Sequence, residues 1–104
     1  MNTFAIPIPY DELVVFCQRW KIRELAFFGS VLREDFKPDS DVDVLVSFAE
    51  DASWGLLDHI KMQYELEMLL QRKVDLLTKR AVERSLNPIR REAILSTVRV
   101  LVAA

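Results

Sequence analysis

The chain has 104 residues, 51% hydrophobic and 29% charged, which suffices for one buried core and is too apolar for a disordered segment. It has no run of about 18 apolar residues to span a bilayer, no basic-then-apolar leader in Met1–Pro7, and one cysteine, Cys17, which excludes an internal disulfide or a cysteine-rich zinc site. A single soluble, cytoplasmic domain over residues 1–104 is expected. The net charge of −2 argues against a dedicated nucleic-acid binder, yet it conceals +1 over residues 1–33, −8 over 34–67 and +5 over 72–104. An acidic middle beside a basic end suits holding a cation and a polyanion together, and equally suits ordinary surface.

Tyr10 to Lys21 reads as a helix: Leu13, Cys17 and Trp20, joined by Val14 and Phe16, form an apolar stripe, and Asp11 and Glu12 suit the first turn. Leu25-Ala26-Phe27-Phe28 reads as a buried strand that stops at Gly29-Ser30, followed by a short helix. Lys37-Pro38-Asp39-Ser40 is a turn cluster. From Asp41 to Phe48 the alternation predicts a strand, with Val42, Val44, Val46 and Phe48 on one face and Asp41 and Asp43 on the other. Ser53 to Gln71 predicts a long helix with Leu57, Ile60, Tyr64 and Met68 on one side. Val74 to Leu77 is a short strand. Asn87-Pro88 signals a helix start leading through Ile89 to Leu95, and Val98, Val100 and Val102 predict a terminal edge strand. The order α-β-(short α)-β-α-β-α-β predicts an α/β (α+β) domain, a small mixed sheet flanked by helices.

Three features carry chemistry. Glycine at Gly29 permits close approach of backbone to a ligand, and N–H groups ahead of a short helix, with the Ser30 hydroxyl, make a phosphate cradle. Alone, Gly-Ser is an ordinary strand-ending turn. Asp41 and Asp43, at i and i+2 of a strand, have Cβ atoms roughly 6–7 Å apart, so their oxygens can converge on hard cations. The bland alternative is the solvated face of an edge strand. Asp75 has the parity opposite to Val74 and Leu76, so it can project from the same face as the other two acids and complete a metal cage or take a proton from an attacking hydroxyl.

Together, Gly29-Ser30, ten intervening residues and Asp41-x-Asp43 resemble the signature of the nucleotidyltransferase superfamily related to DNA polymerase beta. The short chain, with Pro38 to Val46 and Arg72-Lys73-Val74-Asp75-Leu76-Leu77, resembles the minimal nucleotidyltransferases, the MNT or MntA-like antitoxins, from about residue 10 to 102. The resemblance implies a polymerase beta-like fold that binds ATP with Mg²⁺, two ions in all. Gly29, Ser30 and Arg33 would hold the nucleotide, and Asp41, Asp43 and Asp75 would be the catalytic and metal-binding carboxylates. The reaction implied is attack of an acceptor hydroxyl on the α-phosphate with release of pyrophosphate. With no length left for an acceptor domain, a separate partner brings the acceptor. In this family such minimal proteins are commonly paired with a HEPN-type RNase toxin encoded nearby, which some members inactivate by AMP transfer to a tyrosine, and the resemblance implies the same here. A hetero-oligomer is thus implied, with no direct nucleic acid and no membrane. Many relatives read Gly-Ser-x-Ala-Arg-Gly, whereas this chain has Leu32 and Glu34 around Arg33. Two other classes stay open: an inactive antitoxin that blocks by binding alone, and a nucleic-acid-binding regulator using the basic C-terminal third.

The remaining residues have plainer readings. His59 is a surface residue, helix filler or proton carrier; Cys17 belongs to the core; Trp20 and Trp54 are core by default or a partner surface. Lys79, Arg80, Arg84, Arg90 and Arg91 are a solvated face or contacts to triphosphate or partner.

Overall fold

The computed structural model describes residues 7–29 and 41–103. In chain order these form α1 (Tyr10–Arg19), β1 (Ile22–Phe28), β2 (Val42–Phe48), α2 (Leu56–Leu70), β3 (Val74–Thr78), α3 (Lys79–Glu83), α4 (Pro88–Thr97) and β4 (Arg99–Ala103). The strands make one mixed sheet in the order β3-β2-β1-β4: β1 runs antiparallel to β2 and β4, and β2 runs parallel to β3. This is the expected α/β architecture, with β4 at an edge as predicted. The short helix expected after Ser30 lies outside the described residues. Among the described residues, no helix is long and apolar enough to cross a membrane.

Each face of the sheet carries its own core. On one face Leu25 and Phe27 of β1, Val42, Val44 and Val46 of β2 and Val74 and Leu76 of β3 pack with Leu13, Phe16 and Cys17 of α1 and Met62, Leu66 and Leu70 of α2. On the other, Phe28 and Leu45 pack under Val82 of α3 and Ile94 of α4. Because β1 is covered on both faces, its run from Leu25 to Phe28 is continuously apolar rather than alternating. Cys17 is buried in the first core, as expected.

The parallel β2–β3 pairing needs a crossover, which α2 supplies. Asp58 accepts a hydrogen bond from the Gly55 N–H at 3.0 Å, closing the start of α2 from the third helical position. At its end Gln71 turns the chain in the left-handed region, φ 54°. Two α2 side chains then clasp β3: Glu67 Oε2 accepts from the Val74 N–H, and His59 Nε2 lies 3.0 Å from the Leu76 carbonyl oxygen. Since a carbonyl only accepts, His59 carries its proton on Nε2. His59 is thus a tether between helix and strand, which corrects the expectation of a surface or filler residue.

Three other expectations change. The α2 residues expected to face one side together, Leu57, Ile60, Tyr64 and Met68, do so, but that side is exposed; the core takes Met62, Leu66 and Leu70 instead. Val14 of α1 points outward while Phe16 is buried. α3 was not anticipated: five residues give too short a pattern to read, although Thr78 caps it by accepting from the Ala81 N–H. α4 begins as predicted, with Asn87 accepting from the Arg90 N–H at 3.1 Å and Pro88 in the first turn.

Candidate active site

The C-terminal end of β1 and the N-terminal ends of β2 and β3 meet at one end of the sheet. Phe28 pairs with Asp43, and Asp43 pairs with Asp75. A 2.9 Å hydrogen bond from the Val42 N–H to the Lys73 carbonyl locks the start of this register. In parallel strands about 4.8 Å apart, residues in register lie side by side on the same face. Val42, Val44, Val74 and Leu76 fill the core on one face, so Asp43 and Asp75 project from the other, the face of Phe28 and Leu45. The parity expectation holds for both. Asp43 is half-buried, and Asp75 is exposed. Asp41 is exposed and stands one residue before β2, rather than inside it as expected.

Gly29 adds a contact that spacing alone did not reveal. Its φ is +74°, in the left-handed region that favours glycine. A Cβ built there would lie 2.3 Å from Asp43 Oδ2 and 3.3 Å from Asp43 Cγ. The space a side chain would fill is therefore taken by a carboxylate. In the sequence, Gly29 reads as letting backbone approach a ligand; here the missing side chain also leaves room for Asp43. Ser30 and Arg33 lie outside the described residues, as do Leu32 and Glu34.

The donor chemistry suits Mg²⁺. Asp41, Asp43 and Asp75 offer hard oxygens, while the one thiol, Cys17, is in the core. Burial pushes that thiol up to about 11, which also removes it as a nucleophile near neutral pH. Among the described residues no three His, Cys, Asp or Glu side chains converge into a set able to hold a metal ion. The structure thus brings Asp43 and Asp75 into register without closing a three-carboxylate cage. Mg²⁺ commonly takes one or two carboxylates and completes its shell with water and substrate phosphate, so the residues present fit the ion.

The basic residues are dispersed. Lys79 and Arg80 line a hollow of about 510 Å³ at the opposite end of β2, with Trp54, Glu50 and Glu83. Arg90 and Arg91 line a smaller hollow of about 130 Å³ with Leu77, and Arg91 Nη1 donates to the Ser85 carbonyl. Trp54 stacks edge-on against Trp20, with ring centres 5.0 Å apart, and donates to the Trp20 carbonyl; Trp20 donates to Glu65. The two tryptophans thus brace the far end of the sheet.

Residues 13–100 match a family model described as a nucleotidyltransferase domain, a span that includes Gly29, Asp41, Asp43 and Asp75. The protein adenylyltransferase MntA of Thermococcus cleftensis is 44% identical over 66 residues, 64% of this chain and 65% of that one. The matched region thus spans just under two thirds of that relative. A solved structure with the provisional name of minimal nucleotidyltransferase superposes with a TM-score of 0.66 at 34% identity, covering 86% of both chains. The fold also matches a structure from Shewanella oneidensis, described as a tri-AMPylated HEPN toxin in complex with MNT antitoxin, with a TM-score of 0.61 at 18% identity over 91% of this chain and 70% of that one. A strand-end glycine pressed against one carboxylate, with a second carboxylate in register on a parallel neighbour, fits these matches, and the chain belongs to the nucleotidyltransferase domain family, among its minimal, MntA-like members.

Proposed function

We propose that this chain is an antitoxin that transfers AMP from ATP to a tyrosine hydroxyl of a HEPN-type RNase toxin, and that it does so in the cytoplasm as a single domain over residues 1–104. The observation that carries the reading is the placement of Asp43 between Gly29 and Asp75 at the end of the sheet where Asp41 enters. The name of the Thermococcus cleftensis relative, protein adenylyltransferase MntA, supports the chemistry. The AMPylated HEPN toxin in the Shewanella oneidensis complex supports the acceptor.

In this reading Asp41 and Asp43, with Asp75, hold Mg²⁺, and Gly29, Ser30 and Arg33 hold the triphosphate. Bound Mg²⁺ supplies neutralisation of charge on the triphosphate and on the attacking and leaving oxygens. The acceptor oxygen forms a bond to the α-phosphorus while the bond from that phosphorus to the α–β bridging oxygen breaks, and pyrophosphate leaves with the electron pair. Asp75, exposed and beside Asp43, takes the hydroxyl proton. The remaining contribution of the chain is orientation, because phosphoryl chemistry asks mainly for positioning and charge stabilisation.

The test is an intact mass spectrum of the toxin after incubation with this chain, ATP and Mg²⁺, in parallel with the Asp41→Asn, Asp43→Asn variant. Mass gains of whole AMP units with the wild-type chain and none with the variant are expected. Protection from the toxin by the variant, with the complex intact and no mass gain from either protein, would replace this reading with blocking by occlusion.

A further inference from the structure

Asp43 has Gly29, at the end of β1, on one side and Asp75 of β3 on the other. The ladder that sets Asp43 beside Asp75 carries one step further. The Val42 N–H donates to the Lys73 carbonyl at 2.9 Å, which puts Lys73 next to Asp41 at the end of the two strands. Strand alternation gives Lys73 the face of Asp75, because Val74 between them is buried in the opposite core. Lys73 is exposed, and among the described residues its ammonium makes no ion pair. Arg72, the cation before it in the chain, is half-buried and already engaged.

We propose that Lys73 is a catalytic residue on the acceptor side of the site, where its ammonium contacts the acceptor hydroxyl oxygen; this rests on the AMP-transfer reading above. The acceptor enters over β3, since β1 is flanked by β4 while β3 is an edge strand with Asp75 exposed on it. As the acceptor oxygen bonds to the α-phosphorus, its proton passes to Asp75. The bond from phosphorus to the α–β bridging oxygen breaks, and pyrophosphate leaves with the electron pair. The attacking oxygen thus gains negative charge beside three carboxylates, and a cation two residues before Asp75 offsets that repulsion. Lys73 stays protonated and exchanges no proton. The triphosphate cradle is a poorer match for it. Gly29 follows β1, two strands from β3, which is roughly 10 Å across the sheet at about 4.8 Å per strand. A lysine also carries a compact, rotatable charge suited to a single oxygen, whereas bidentate phosphate recognition favours arginine.

The experiment measures steady-state AMP transfer to the toxin by the full chain as wild type, Lys73→Met, Lys73→Arg and Lys79→Met, together with the affinity of each for a non-hydrolysable ATP analogue with Mg²⁺ and its melting temperature. Lys79 is a half-buried cation just past the other end of β3 and serves as the charge control. Lys73→Met is expected to lower kcat by about 10- to 100-fold, at or below the usual loss for one charge-stabilising donor because the position is open to water. Its KM for ATP, analogue affinity and melting temperature should stay at the wild-type values. Lys73→Arg should restore most of kcat, and Lys79→Met should leave it unchanged. A Lys73→Met protein as fast as wild type overturns the assignment, as does an equal loss with Lys79→Met. A raised KM for ATP with kcat intact overturns it in favour of a triphosphate contact. A lowered melting temperature, with activity that Lys73→Arg does not restore, overturns it in favour of a structural role. A wild-type chain that transfers no AMP overturns the transfer reading itself, and the role of Lys73 with it.

Discussion

Replacing Gly29 by alanine tests the geometry of the site most directly. The added Cβ would meet Asp43 Oδ2 at 2.3 Å, and real Cβ atoms do not approach closer than 3.0 Å, so the carboxylate must retreat by about 0.7 Å. Two costs follow. Holding a residue with a Cβ at φ +74° costs about 1–2 kcal/mol, and turning Asp43 off its rotamer costs about 0.5–1.5 kcal/mol. Gly29→Ala should therefore destabilise the fold by about 1.5–3.5 kcal/mol. The second cost exists only while Asp43 has a carboxylate. In an Asp43→Ala background the same substitution should cost only the backbone portion, leaving a coupling of about 0.5–1.5 kcal/mol. Urea unfolding of the four proteins, followed by the fluorescence of Trp20 and Trp54, measures both quantities. Transfer activity should fall further than stability does, by about 100-fold, because displacing a reacting group by about an ångström costs that much. Equal destabilisation in both backgrounds, or a Gly29→Ala cost below about 0.5 kcal/mol, would refute the close approach of Gly29 to Asp43.

Three further outcomes are expected. Burial raises the Cys17 thiol from 9.0 to about 11, so its contribution is fully present below pH 9 and is lost as pH rises toward 11; wild type should lose more stability over that interval than Cys17→Ala in parallel denaturation. Asn87→Ala removes the acceptor for the Arg90 N–H and should lower stability by about 1 kcal/mol, while Asn87→Asp should keep the cap and the stability. His59→Ala should lower stability by about 1 kcal/mol and speed amide exchange along β3 more than along β1, since it frees the Leu76 carbonyl on an edge strand.

The parts of this molecule legible in the sequence are those set by short-range periodicity. β2 announces itself because Val42, Val44 and Val46 face a core while Asp43 does not, and a period of two leaves little room for another reading. Asn87-Pro88 likewise marks the start of α4 by local chemistry alone. The face of α2 was not legible: Leu57, Ile60, Tyr64 and Met68 repeat at helical spacing as well as Met62, Leu66 and Leu70 do, and periodicity cannot rank two apolar stripes. A weaker signal was present in His59 and Glu67, polar residues whose bonds to β3 place them on the inward side. At the site, parity gave Asp75 its face, but its pairing with Asp43 depends on the parallel crossover, and the contact between Gly29 and Asp43 depends on the register of β1 against β2.

The clasp of α2 on β3 has a consequence for how such chains behave at high concentration. In a sheet with two open edges, each row of unpaired backbone groups is a template on which another chain can polymerise. Here the outward Val74 N–H and Leu76 C=O are already engaged by Glu67 and His59 of the same molecule. Two of the outward groups on the β3 margin, the margin nearest Asp75, are thereby withdrawn from sheet extension. Sheet growth between copies is thereby favoured at β4, on the far side of β1, where it would leave the carboxylates uncovered.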